Sequence, residues 1–169
     1  MIGGTVFVTV GTTKFESLIK TVNEENILRL LSEKGYEKVI FQIGKGEFIP
    51  EEGTRFGLKV SVFRLKKSIQ TYFESADLVI SHAGAGSCLE ALGAKKPLIT
   101  VINEILMNNH QSELAEELAL NGYSLCCNTN NLYETLLSFN KFNLKEYKPG
   151  NPKLFSDYLN SVILITGKD

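Results

Sequence analysis

The 169-residue chain has little excess charge of either sign. Its 18 basic and 19 acidic residues give a formal net charge of −1, and no run of Lys or Arg forms a basic stretch. Binding to nucleic acid rests largely on attraction between phosphates and clustered positive side chains. We therefore expect no nucleic-acid partner.

Cysteine and histidine are also scarce. The three cysteines, Cys88, Cys126 and Cys127, are odd in number, and neither they nor His82 and His110 stand at a metal-ligand spacing. Free thiols in a predicted strand pack as small apolar side chains. The sequence predicts reduced cysteines in a reducing compartment, with no metal site and no cofactor.

Long apolar runs are missing. No stretch reaches the roughly 20 residues that a membrane-spanning helix needs, although a short run occurs at Val162–Ile165. The chain begins a strand almost at once, without the charged and apolar regions of a signal peptide. We expect a chain that does not itself cross a membrane.

Two nucleotide-binding motifs are absent as well. There is no Gly-x-x-x-x-Gly-Lys-Ser/Thr, and the first predicted turn lacks Gly-x-Gly-x-x-Gly. The second predicted strand ends in Gln42-Ile43-Gly44, with no acidic residue for a ribose 2′-hydroxyl. These absences disfavour a P-loop nucleotide hydrolase and a dinucleotide-binding enzyme.

Short apolar runs alternate with segments of helical periodicity, which predicts an α/β fold. The predicted strands are Thr5–Val10, Val39–Ile43, Leu58–Phe63, Leu78–Ile80, Leu98–Ile102 and Ser124–Cys127. The predicted helices are Phe15–Ser32, Ser68–Ser75, Ser87–Leu92, Asn109–Leu120 and Leu132–Ser138. We expect a Rossmann-like, mostly parallel sheet with helices on both faces.

The domain organisation follows from the chain-breaking residues. Gly44–Gly57 collects Gly, Pro and Glu and is interpreted as a surface loop. Lys148–Pro152 breaks the fold, so residues 1–150 form one domain and residues 151–169 a separate terminal helix that begins at Pro152. That helix carries apolar residues at helical spacing, which fits either a partner-docking element or a cover for the chain's own core.

The segment Ser81–Glu90 has the layout of an anion-binding turn. It follows a buried strand, and Gly84, Ala85 and Gly86 open a helix near Ser87. Free N–H groups and the positive end of the helix dipole favour a phosphate there, and Glu90, one turn on, can accept hydrogen bonds from a ribose diol. The alternative is a turn whose glycines serve only close packing.

A second turn, Gly11-Thr12-Thr13, follows the first strand and should face the same crevice. Its N–H and hydroxyl groups suit phosphate or a sugar hydroxyl, although Thr capping of a helix explains them equally. His82 fits either a hydrogen bond to a diphosphate or a structural role, and His110 fits a helix cap. Ser87 suits a cap or a phosphate ligand, and no pair of nucleophile and base is evident.

Several blocks in one order resemble a known family. These are Phe7–Thr13, Gln42–Gly46, Asp77–Ser87, Val101–Glu104 and Met107–Gln111. They are similar to the catalytic subunits of the UDP-N-acetylglucosamine transferase that adds the second sugar in asparagine-linked glycosylation. The likeness extends to the donor half of the bacterial lipid-linked muramyl-pentapeptide transferase, a two-domain glycosyltransferase of GT-B architecture.

The resemblance implies transfer of N-acetylglucosamine from UDP-N-acetylglucosamine to N-acetylglucosaminyl-diphosphodolichol, with inversion and a β1,4 linkage. By position it places the diphosphate at Gly84, Gly86 and Ser87 and the ribose at Glu90. Further positions that it assigns to the donor are Asn109 and Gln111 for the sugar, and Phe63 and Arg64 for the uracil edge. His82 is a candidate catalytic residue, and the general base is not assigned.

The family also implies a partner. The acceptor is a lipid, so a membrane-anchored acceptor-binding subunit would form a heterodimer with this chain at the cytosolic face of the endoplasmic reticulum. Two alternatives remain open at this point. One is a stand-alone nucleotide-sugar-binding protein or transferase, and the other is a regulatory α/β module.

Overall fold

The computed structural model describes residues 3–103, 109–148 and 150, and of residues 109–112 only the backbone. Its strands are β1 (Gly4–Thr9), β2 (Tyr36–Gln42), β3 (Gly53–Arg55), β4 (Leu58–Phe63), β5 (Leu78–His82), β6 (Leu98–Ile102) and β7 (Leu125–Asn128). Its helices are α1 (Glu16–Val22), α2 (Glu25–Glu33), α3 (Gln70–Ser75), α4 (Ala85–Gly93), α5 (Asn109–Leu120) and α6 (Leu132–Ser138).

The strands form one sheet in the order β3-β4-β2-β1-β5-β6-β7. All neighbours pair in parallel except β3 and β4, which are antiparallel. The chain moves outward from β1 to β2 and β4, then returns to the other side of β1 through β5. The predicted Rossmann-like parallel sheet is confirmed.

Alternation along β1 shows why helices cover both faces. Val6 and Val8 pack on one side with α1, α2 and α6, and Phe7 packs on the other with α3, α4 and α5. All three side chains are fully buried. A parallel strand buried on both faces has consecutive apolar residues at its centre, as β1 has at residues 6–8.

Several predicted boundaries were wrong, among them the start of β2, which lies at Tyr36 and not at Val39. Phe15–Ser32 is not one helix, because α1 ends at Val22 and α2 begins only at Glu25. Gly44–Gly57 is not wholly a loop, since it contains β3. α4 begins at Ala85, two residues before the predicted start, with Gly84 at its N-cap. The terminal helix predicted from Pro152 lies outside the described residues.

Candidate functional site

Two glycine turns lie side by side at the carboxyl edge of the sheet. β1 and β5 are parallel neighbours with Thr9 paired to Ser81, so the turns at Gly11 and Gly84 leave the sheet next to each other. Strands that follow β1 are added on one side of it up to β4, and from β5 onward they are added on its other side, so the strand order reverses between β1 and β5. In open α/β sheets this switch point is where ligands bind.

His82 fills the space between the two turns. A Cβ at Gly84 would lie 2.2 Å from its Nε2 atom, and a Cβ at Gly11 would lie 2.9 Å from its Cε1 atom. Gly11 also has a φ of +59°, in the left-handed region that favours glycine. Both glycines are therefore required by packing against a side chain of the protein itself.

The His82 imidazole is 8% exposed. Burial lowers its pKa from the ordinary value of 6.5, and an interaction with the Thr9 carbonyl opposes this effect. Nδ1 is buried and makes no hydrogen bond of normal geometry to any described residue. At neutral pH the ring is uncharged, and its single N–H is the group that interacts with the Thr9 carbonyl.

The first turn of α4 projects into open space beside these turns. Ala85 and Gly86 are exposed, and no atom lies within 4 Å of a Cβ built at Gly86. Ser87 is buried, and its Oγ lies 3.6 Å from the position of a Cβ at Gly11. The free N–H groups and dipole of this nine-residue helix favour an anion at this end.

A cavity of about 540 Å³ extends from the Gly11 turn between α3 and α4. This volume suits a small-molecule site, which typically measures about 300–1,000 Å³. Its apolar walls are Leu65, Ile69 and Phe73. Its remaining lining residues are Gly11, Thr12, Gln42, Lys66, Lys67, Ser68, Gln70, Glu74, Glu90, Gly93 and Ala94.

The cavity brings together Gly11, Thr12 and Glu90 among the residues selected from the sequence. Thr13 lies beside it, and its hydroxyl donates to the Val10 carbonyl at 2.8 Å. Glu90 is exposed on the second turn of α4, where its carboxylate is free to reach a ligand in the cavity.

Phe63 and Arg64 lie close to the cavity but do not line it. The Phe63 ring contacts the Tyr72 ring in a tilted arrangement at a centroid distance of 4.6 Å. The Arg64 guanidinium donates to the Gly46 carbonyl at 2.5 Å, on the side of the loop that follows β2. The cavity wall begins one residue later, at Leu65.

Asn109 and Gln111 lie in the first turn of α5, but their side chains fall outside the described residues, as does that of His110. Their assignment to the donor sugar stays a prediction. Among the described residues no group of three or more His, Cys, Asp or Glu side chains could hold a metal ion.

Sequence reasoning missed two residues of the site. The Lys66 ammonium group donates to the Tyr72 hydroxyl and lies 4.7 Å from the centroid of the Phe63 ring, and these contacts hold a cation at the cavity wall. Gln42 is 1% exposed and lines the cavity at the end of β2. The sequence signal for Gln42 was its place at a strand end, where an amide is costly to bury without partners.

Comparison with known proteins places this chain in a family of glycosyltransferases. Residues 5–157 match the glycosyltransferase family 28 C-terminal domain, and the chain belongs to this family. The resemblance seen in the sequence is thereby confirmed.

Three relatives are named UDP-N-acetylglucosamine transferase subunit ALG13. The protein of Homo sapiens is 50% identical over 122 residues, which make up 72% of this chain and 11% of the human protein. That of Mus musculus is 46% identical over 72% of this chain and 10% of its own length. The chain thus spans about a tenth of these two relatives. The Cryptococcus neoformans protein is 31% identical over 90% of this chain and 89% of its own length.

Solved structures agree on the fold. A solution structure of ALG13 superposes with a TM-score of 0.69 at 26% identity, covering 93% of this chain and 95% of that one. MurG of Acinetobacter baumannii gives a TM-score of 0.61 at 21% identity, covering 84% of this chain and 43% of that one. The fold is therefore that of a GT-B donor half.

Proposed function

We propose that this chain is the donor-binding catalytic subunit of an N-acetylglucosaminyltransferase. It binds UDP-N-acetylglucosamine and transfers the sugar to N-acetylglucosaminyl-diphosphodolichol, with inversion and a β1,4 linkage. The observation that carries the proposal is the cavity that joins the Gly11 turn to Glu90 at the switch point of the sheet. The relatives named as transferase subunits support the donor and the reaction class.

In this proposal the diphosphate lies at the amino end of α4. Gly86 leaves the N–H groups of that turn open to a ligand, and the helix dipole adds positive potential. UDP leaves as an anion, so donors fixed before the reaction stabilise the charge that develops on it. Neutral His82 packs between the two turns and leaves room only for glycine at residues 11 and 84.

The ribose would then lie at Glu90, one turn along the same helix. The uracil would lie against the segment from Leu65 to Ile69, where the cavity wall is partly apolar. Phe63 and Arg64 directly precede this segment, and we keep them as the residues proposed for the uracil edge. The acetamido sugar would face α5, at Asn109 and Gln111.

The acceptor side is assigned to a partner. No helix among residues 3–103 and 109–148 is long and apolar enough to cross a membrane, whereas the proposed acceptor is a lipid. We propose a heterodimer with a membrane-anchored, acceptor-binding subunit at the cytosolic face of the endoplasmic reticulum, with residues 151–169 as a docking element.

A glycosyl-transfer assay tests the proposal. Labelled UDP-N-acetylglucosamine and the dolichol-linked acceptor are incubated with this chain, with and without the co-expressed partner, and the product is identified as a disaccharide lipid. The proposal predicts product only when both chains are present. Turnover by this chain alone would indicate a stand-alone transferase, and a wild-type complex without turnover would refute the assigned reaction.

A further inference from the structure

Gln42 lies at the point where three strands end together. β2 is flanked by β1 and β4, and Gln42 is paired with Thr9 on one side and with Phe63 on the other. The turns that follow these neighbours contain Gly11 and Arg64. The Gln42 side chain is therefore placed between the two chain segments that form one end of the cavity.

Each hydrogen-bonding group of its amide has a partner. Oε1 accepts from the Thr9 hydroxyl at 2.5 Å, and Nε2 donates to the carbonyls of Gly11 at 2.6 Å and Arg64 at 2.7 Å. Carbonyls only accept, so this orientation of the amide is the one that satisfies all three contacts. The Thr9 hydroxyl oxygen in turn accepts from the Gly11 N–H at 3.1 Å.

This network holds the Gly11 turn from two sides. Its N–H is bound through Thr9 and its carbonyl is bound directly by Gln42. The second N–H of the same amide binds the Arg64 carbonyl, one residue before the cavity wall begins at Leu65. A buried amide with all its bonds made fixes its neighbours in one arrangement.

We propose that Gln42 is a positioning residue for donor binding, acting through Gly11 and Arg64 to hold two walls of the cavity at a fixed separation. This role rests on the proposed function, since it assigns the donor to this cavity. Removal of the amide leaves both carbonyls without their partner and allows the two turns to move independently. The loss therefore falls on affinity for the nucleotide.

The test compares two buried threonines. Thr9→Val removes the hydroxyl that orients Gln42, and Thr9→Ser retains it. Thr100→Val is the matched control, because Thr100 is fully buried on β6 and its hydroxyl donates to the Leu125 carbonyl at 3.1 Å, outside the cavity lining. Gln42→Met removes the amide at similar volume, and Gln42→Glu keeps the acceptor oxygen but replaces the two donors.

UDP affinity is measured by calorimetry and thermal stability by circular dichroism on the same samples. Loss of a buried hydrogen-bond partner corresponds to about a tenfold rise in Kd. We expect that rise in Thr9→Val and Gln42→Met, a wild-type Kd in Thr9→Ser and Thr100→Val, and similar losses of thermal stability in the two valine variants. We expect Gln42→Glu to recover affinity as the pH falls, because protonation restores one donor.

Wild-type affinity in folded Gln42→Met and Thr9→Val would overturn the inference while leaving the proposed function intact. Equal weakening in Thr100→Val would also overturn it, since the effect would then reflect stability alone. If Gln42→Met does not fold, the Thr9 pair decides. Absence of UDP binding by the wild-type chain would overturn the proposed function and the inference with it.

Discussion

The His82 imidazole occupies the space that a side chain at Gly84 would need, with Nε2 only 2.2 Å from the position of the missing Cβ. Packing of His82 therefore requires glycine at residue 84, the N-cap of α4. Gly86, two residues on, has open space at the same position. Residue 84 must therefore be glycine to leave room for His82, whereas packing within the protein does not require glycine at residue 86.

This difference predicts that alanine lowers the stability of the fold at residue 84 but not at residue 86. Gly84→Ala should lower the free energy of unfolding by about 1–3 kcal/mol, because the methyl group must displace a buried ring. Gly86→Ala should leave the fold as stable as wild type or slightly more so, because alanine favours a helix. Thermal and urea unfolding of both variants measure the effect. Equal stability of the two variants would contradict the packing of His82 against residue 84.

The second substitution also reports on the ligand. A methyl group at residue 86 would project into the space proposed for the diphosphate, so Gly86→Ala should bind UDP more weakly although it is folded. Its unfolding curve is the internal control. Wild-type UDP affinity in Gly86→Ala would place the diphosphate elsewhere.

Much of this architecture could be predicted from the sequence. Period and composition located the six longer strands because each is an apolar run, whereas β3 has three residues in a segment rich in Gly, Pro and Glu. The break between α1 and α2 was missed because helical spacing continues across Asn23 and Glu24. The periodicity of apolar residues does not show that the chain changes direction between two helices that pack on the same core.

A pH dependence follows from the buried imidazole. The pKa of His82 is lowered by burial in the folded protein, so the unfolded chain binds a proton more readily. Stability is full above the ordinary pKa of 6.5 and should fall as the pH drops below it, toward the folded pKa. Comparison of wild type with His82→Gln isolates this contribution, since both retain His110. Parallel pH curves of the two proteins would show that His82 does not titrate this way.

Lys66 gives a prediction about salt. Its ammonium group lies at the cavity wall beside the Phe63 ring and the Tyr72 hydroxyl, within the segment proposed to contact the uracil, and it attracts the anionic nucleotide from there. Lys66→Met should weaken UDP binding several-fold and reduce the salt dependence of that binding, because screening acts on charge. Lys59→Met, an exposed position on β4, is the matched control. The same salt dependence in Lys66→Met and wild type would exclude an electrostatic contribution of Lys66 to nucleotide binding.

A truncation separates the two halves of the proposed function. All described residues that line the cavity lie between Gly11 and Ala94. Deletion of residues 151–169 should therefore leave UDP binding intact and abolish transfer with the membrane partner. Calorimetry and co-purification with the partner measure the two effects. A truncated chain that unfolds would assign this segment to the core, and one that still co-purifies and transfers would place the docking surface elsewhere.

The parts of the site that sequence could not predict depend on contacts between distant segments. Gln42, at the end of β2, binds the segments at the ends of two neighbouring strands, β1 and β4, and nothing in its own neighbourhood indicates those partners. Gly44, with a φ of +55°, would place a Cβ 2.3 Å from the Thr13 carbonyl oxygen, so it too is fixed by another segment. The motif around Gly84 was visible because its residues are adjacent in the chain.

The central claim is that the cavity beside Gly11 holds a uridine nucleotide with its ribose at Glu90. Calorimetric titration of UDP into wild type, Glu90→Ala and Glu134→Ala tests it most directly, with Glu134 as an exposed helical glutamate outside the cavity lining. We predict binding by wild type and Glu134→Ala, and a loss of about 1.5–3 kcal/mol of binding free energy in Glu90→Ala, as for a hydrogen bond to a charged group. No binding by the wild-type chain, or equal affinity of the folded Glu90→Ala variant, would contradict the account.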